Sequence, residues 1–198
     1  MMNDQRIRKG ELTRKNILKA ATLIIGKKGL IEISTSKLAI TVGVSKSTIF
    51  HHFKSTDELL LSTLDFVFKE LLKVMTLEKY QNVEHFLYTL GQSVFKEPES
   101  KLTFFKVFLS FSHEAIFNEK YRAVIVSYAE QMNEMFSVQL TQLVPHVNQK
   151  SIKSVAGLLL PLMDGISFHY LLNNSSTKYQ EVWELQVKSI LQYLGVSK

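Results

Sequence analysis

Ser34-Thr35-Ser36-Lys37-Leu38-Ala39-Ile40-Thr41-Val42-Gly43-Val44-Ser45-Lys46-Ser47-Thr48-Ile49-Phe50-His51-His52-Phe53 is the stretch of this 198-residue chain from which the fold is read. Ser34 and Ser45 each stand where a helix N-cap needs a short side-chain oxygen. Gly43 falls where the chain must leave the first helix at positive φ, which glycine adopts without steric cost. The first helix then turns Leu38 and Ala39 inward, and the second turns Ile49 and Phe53 inward at i and i+4. A helix-turn-helix needs a small residue where its helices approach, a permissive turn residue and an apolar anchor beside it. Ala39, Gly43 and Val44 supply these in order. The outward residues Ser45, Lys46, Ser47, Thr48, His51 and His52 are left as the polar part of a helix whose N-terminal end normally enters the major groove.

Upstream, Ile17, Leu18, Ala20, Ala21, Ile24 and Ile25 recur at helical spacing from Glu11, and Gly29 follows Lys27 and Lys28 as a stop. Residues 1–54 thus form a trihelical DNA-binding domain. Arg6, Arg8 and Lys9 precede it as either a basic arm toward the backbone or minor groove, or a disordered tail. Charge supports the division: residues 1–54 carry eleven Lys or Arg against three Asp or Glu, and residues 55–198 thirteen against fifteen. A basic module on a near-neutral body suits phosphate binding, where only the DNA-facing part gains from displacing counterions.

Downstream, Ser55-Thr56-Asp57-Glu58 offers a cap and acidic first-turn residues for a long helix carrying Leu60, Leu64, Val67, Phe68, Leu71, Leu72 and Met75. Further helices are expected over Val83 to Lys96, Pro98 to Ile116, Glu119 to Leu143, Gln149 to Leu172 and Lys178 to Leu194. The fold class is all-α, with about nine helices, and residues 55–198 form a second, larger helical domain. Only 8 Gly and 3 Pro interrupt a chain that is 45% apolar, as a helical globular protein requires. With no cysteine, a disulfide framework and thiol catalysis are excluded.

The run Thr13-Arg14, Ile17-Leu18-Lys19-Ala20-Ala21, Gly29, Leu38-Ala39, Gly43 through Ser55, and Leu59-Leu60 resembles the N-terminal domain of the TetR family of regulators over about sixty residues. The resemblance implies that Ser34, Thr35 and Lys37 lie near phosphate, that Lys46, Ser47 and Thr48 approach bases, and that Phe50 and His51 line the duplex. Lys54 joins this set as a backbone contact beside Thr56, where many members place a lysine. Two other departures are Ser47, often Gly or Ala, and Phe50, usually a Tyr that bonds phosphate. The family layout further implies that residues 55–198 are an effector-binding and dimerisation domain, with homodimerisation, a palindromic double-stranded operator and release by a small-molecule effector. Leu160 to Gly165 also resembles a segment of the betaine-regulator-like branch.

Phe104, Phe108, Phe111, Tyr121, Tyr128, Met132, Met163 and His169 are candidate effector-binding residues, each also readable as ordinary core. Asp164, a charge in an apolar helix, either makes an internal polar interaction or meets a cationic ligand. Leu158, Leu162, Ile166 and Tyr170 form one candidate dimer stripe, and Trp183, Val187, Ile190 and Leu194 another. The Lys101 to Phe111 stretch is apolar nearly all round, as in an enclosed helix. No nucleotide or hydrolase fingerprint occurs, and Phe117 stands where a zinc-protease helix starting at His113-Glu114 would need its second histidine. No catalytic residue, metal or cofactor is therefore expected. Pro161 and Asp164 argue against a membrane span, the basic N-terminus against a signal peptide, and the expected location is cytoplasmic. The competing reading is an all-helical small-molecule-binding or enzymatic protein whose basic N-terminus is only structural.

Overall fold

The computed structural model describes residues 2–76, 79–95, 99–173 and 176–196. These form nine α-helices, and no strand occurs among them. They are α1 (Met2–Lys28), α2 (Thr35–Val42), α3 (Lys46–His52), α4 (Thr56–Thr76), α5 (Val83–Phe95), α6 (Glu99–Phe117), α7 (Glu119–Leu143), α8 (Gln149–Asn173) and α9 (Ser176–Tyr193). The expected ends at Lys96 and Pro98 lie outside the described residues. The chain divides into two compact units, one of residues 1–75 with 100–125, the other of residues 76–99 with 126–198.

In the first unit, α1 begins nine residues before the expected Glu11, so Arg6, Arg8 and Lys9 lie on a helix rather than in an arm or tail. Gln, Arg, Lys, Glu and Leu are good helix formers, and together they outweigh the single Gly10. The Thr13 hydroxyl adds a bond back to the Lys9 carbonyl (2.9 Å). α1 stops at Gly29 (φ 82°). A 3₁₀ turn over Leu30–Glu32 then leads to α2. The caps fall where the sequence puts them. Ser34 Oγ accepts from the Lys37 N–H (3.2 Å), and Ser45 Oγ from the Thr48 N–H (3.1 Å). At Gly43 the backbone is left-handed (φ 73°), and the Val44 N–H closes onto the Ala39 carbonyl at 3.0 Å. Ile17, Leu18, Ala21, Leu38, Ala39, Ile49, Phe53 and Leu59 bury together as one cluster, which fixes the inward side of α3.

α4 and α6 complete this unit, with Phe68 against Phe108 at 6.1 Å between ring centroids. α6 is less enclosed than its composition suggests. Val107 and Phe111 are buried, whereas Leu102, Phe104, Phe105, Phe108 and Leu109 are half-buried. Its C-terminal end is held by Arg122 of α7, whose Nε and Nη2 donate to the Ala115 and Ile116 carbonyls (3.2 and 2.8 Å). These are among the carbonyls a helix end otherwise leaves unpaired.

In the second unit α5 packs on α8 and α9, and α8 on α9. The tightest point is Gly91 of α5, where an added Cβ would stand 2.2 Å from Trp183 Cδ1. The buried Trp183 indole donates to the Leu87 carbonyl at 2.9 Å. α8, among the described residues, is the one helix long and apolar enough to cross a membrane. Its Ile152, Val155, Ala156, Leu159 and Ile166 are core, while Leu158, Phe168 and Leu172 are exposed.

Candidate functional site

α3 presents to solvent the residues its inward set leaves over. Ser45, Lys46, Ser47, Phe50 and His51 are exposed, and Thr48 is half-buried. Phe50 is 49% exposed, unusual for an aromatic residue on a helix that already buries Ile49 and Phe53. The Ser45 hydroxyl also meets those of Ser47 (2.7 Å) and Thr48 (2.8 Å), so three hydroxyls converge at the α3 N-terminus, where the unpaired backbone N–H groups attract anions. Ser34 and Thr35 are half-buried at the start of α2, with Ser34 engaged as the cap. Lys37 is exposed and ion-paired with Glu32, whose carboxyl it holds below the usual range by hydrogen bond and charge. Lys54 is exposed immediately after α3. All ten residues belong to the first unit.

His52 differs from His51. It is half-buried, and burial, then the charges of His51 and Arg14, push its imidazole below the ordinary value, favouring the neutral ring at pH 7. The C-terminal end of α3 is anchored from two sides. Arg14 of α1 lies 4.8 Å over the Phe53 ring and donates to Ser62 Oγ of α4 (3.1 Å). Ser55 and Glu58 form a reciprocal box: Ser55 Oγ accepts from the Glu58 N–H (3.1 Å), and Glu58 Oε2 from the Lys54 N–H (2.8 Å).

The candidate effector residues are shared between the two units. Phe104, Phe108, Phe111 and Tyr121 belong to the first unit, and Tyr128, Met132, Met163 and His169 to the second. Phe111 is fully buried against Tyr121 (5.3 Å), whose hydroxyl donates to Asp57 Oδ1 at 3.3 Å. Both are therefore engaged in packing. His169 is exposed and stacks on Tyr179 at 6.4 Å, so it turns away from the core. Tyr128 and Met132 are buried one turn apart on α7, and Met163 is half-buried on α8. Beside Met163, Asp164 has neither an ion pair nor a hydrogen bond among the described residues. Burial pushes its carboxyl up to about 7. Burial, and then the charge of Asp164, raise the Tyr128 phenol as well, which places these two side chains within electrostatic reach across α7 and α8.

The dimer stripes are corrected in phase. Trp183, Val187, Ile190 and Leu194 are buried inside the chain, where α9 faces α5, and Ile166 is core as well. Leu162 and Tyr170 are half-buried, and only Leu158 is exposed. The uncovered apolar side chains are Leu158, Phe168 and Leu172 on α8 and Val182, Leu185 and Tyr193 on α9. Leu158, Pro161, Gly165, Phe168 and Leu172 are all exposed and follow one another along α8 at spacings of three, four, three and four, so they share one side of the helix.

Residues 17–63 match the family described as bacterial regulatory proteins, tetR family. The HTH-type transcriptional regulator BetI of Rhizobium meliloti is 25% identical over 164 residues, covering 82% of this chain and 79% of the relative. BetI of Agrobacterium fabrum is 24% identical over 187 residues, 90% of this chain and 89% of the relative. Among solved structures, a transcriptional regulator from Rhodococcus superposes with a TM-score of 0.80 at 17% identity, over 93% of this chain and 99% of that one. A putative transcriptional regulator from Saccharomonospora viridis in complex with choline superposes with a TM-score of 0.72 at 19% identity, over 92% and 96%.

Proposed function

We propose that this chain, a DNA-binding transcriptional regulator of the TetR family, works as a homodimeric repressor released from a palindromic operator by an organic cation. The observation that carries the DNA-binding part is the division of α3 into a fully packed inner side and an outer side of Lys46, Ser47, Phe50 and His51, all exposed, with the half-buried Thr48. Lys46, Ser47 and Thr48 read base edges. Ser34, Thr35, Lys37, Ser45 and Lys54 hold phosphate through side chain or backbone, and Phe50 offers apolar contact to thymine methyl groups. Two copies joined through the uncovered faces of α8 and α9 set their α3 helices about 34 to 36 Å apart, one DNA turn, in the cytoplasm where the operator lies.

Asp164 supports a cationic effector. A half-buried carboxylate without a counter-charge costs free energy that a bound cation offsets, and the buried Tyr128 ring lies within its reach. The choline bound by the Saccharomonospora relative is of this chemical class. Repression is relieved because the ligand favours a conformation whose two heads no longer match adjacent grooves.

The test is charge reversal at Lys46 and Lys54, with folding followed by circular dichroism and assembly by sedimentation. Operator binding disappears while both structural readouts stay at wild type. Unchanged operator affinity in the double variant would remove these two lysines from the interface.

A further inference from the structure

The Asp57 carboxylate in the first turn of α4 is held from a distant part of the chain. Lys120 Nζ donates to Oδ2 at 2.7 Å, and the Tyr121 hydroxyl to Oδ1 at 3.3 Å. Both partners sit in the first turn of α7, which is itself rigidly built. The Asn118 side chain accepts from the Lys120 N–H (3.0 Å), Arg122 binds the last carbonyls of α6, and the Tyr121 ring is buried against Phe111. Asp57 itself lies within the turn closed by the Ser55–Glu58 box, which fixes Lys54, and little more than one turn before Ser62, which receives Arg14 from its position over Phe53. We propose that Asp57 is a positioning residue for DNA recognition: through Lys120 and Tyr121 the α6–α7 corner sets the first turn of α4, and thereby the angle at which α3 is presented.

Three observations favour a positioning role over simple stabilisation. The ion pair is substantially exposed, 41% at Asp57 and 66% at Lys120, and pairs of that kind add little to folding. The hydrogen bonds nonetheless take both carboxylate oxygens, which fixes orientation as well as distance. The clamp closes three residues beyond Lys54, the last of the DNA-facing residues, so the turn of α4 that it holds is the one that fixes where that set ends. This last step rests on the regulator reading given above.

The probe is a duplex selected from random-sequence DNA by binding to the wild-type dimer. Asp57→Asn and Lys120→Met each weaken binding roughly fivefold or more, within the range of ordinary coupling between sites, and the double variant is no weaker than Asp57→Asn alone. Lys120→Arg restores binding, and melting temperatures stay near wild type. The sign at Asp57 is decisive, because removing a negative charge beside DNA strengthens binding if only electrostatics acts, whereas loss of positioning weakens it. Tighter or unchanged binding by Asp57→Asn, or losses that multiply in the double variant, would overturn the assignment. If the wild-type dimer selects no duplex, the DNA-binding reading falls and this assignment with it.

Discussion

Replacing Asp164 by Asn keeps the shape of the protonated acid and removes its titration. In the folded chain burial raises this carboxyl from its ordinary 3.8 to about 7. Each pKa unit is worth 1.36 kcal/mol between the two protonation states, so holding Asp164 ionised in the fold costs about 4 kcal/mol relative to the unfolded chain. Below about pH 4 the group is protonated in both states and the cost is absent. Between about pH 4 and 7 the unfolded chain releases a proton that the folded chain keeps, so the contribution to stability falls as pH rises, levelling off above about 7. Asp164→Asn is therefore expected to match wild type near pH 4 and to exceed it at pH 8 by as much as about 4 kcal/mol. For a chain of this size that corresponds to on the order of 10 °C in melting temperature. Melting followed by circular dichroism at pH 4.5, 6 and 8 reads the difference. Choline adds a second arm: at 100 times its Kd a ligand stabilises by about 2.7 kcal/mol, which wild type should gain at pH 8 and the variant should not. A variant equally shifted at all three pH values, or less stable than wild type at pH 8, would refute the reasoning.

Two further substitutions test the packing of the second unit. Gly91→Ala places a methyl group inside the Trp183 ring contact, and such overpacking costs about 1 to 3 kcal/mol, measured as a lower midpoint in urea. Leu185→Glu on the uncovered side of α9 should leave the monomer folded and abolish dimerisation in sedimentation equilibrium, with operator affinity lost in parallel. A dimer of wild-type strength in this variant would place the interface elsewhere.

The DNA-binding head was legible because its signals are local. Ser34, Gly43 and Ser45 each dictate the backbone within a few residues, and the inward spacing of Leu38, Ile49 and Phe53 follows from helical periodicity alone. The start of α1 was not, because basic residues with good helix propensity read equally as a solvated arm. On α9 two apolar stripes lie side by side, and periodicity cannot tell which one meets the same chain. The structure turns the bulkier set, led by Trp183, toward α5 and leaves Val182, Leu185 and Tyr193 outside. Asp164 stood out as a lone charge in an apolar helix and Tyr128 as a candidate pocket residue, although nothing in the sequence related the two. The Asp57–Lys120 contact left no trace at all, since 63 residues separate its ends and no periodic pattern relates them.

Trp183 is the sole tryptophan of the chain, and its indole is sealed against α5 with its N–H committed to the Leu87 carbonyl. The protein thus carries a built-in optical reporter confined to one of its two compact units. Excitation at the red edge of the absorption band sees only the α5–α9 contact, where a dry indole emits blue and a wetted one emits red. Loss of blue emission before, or after, the far-ultraviolet helical signal would give the order in which the units melt, with no label attached.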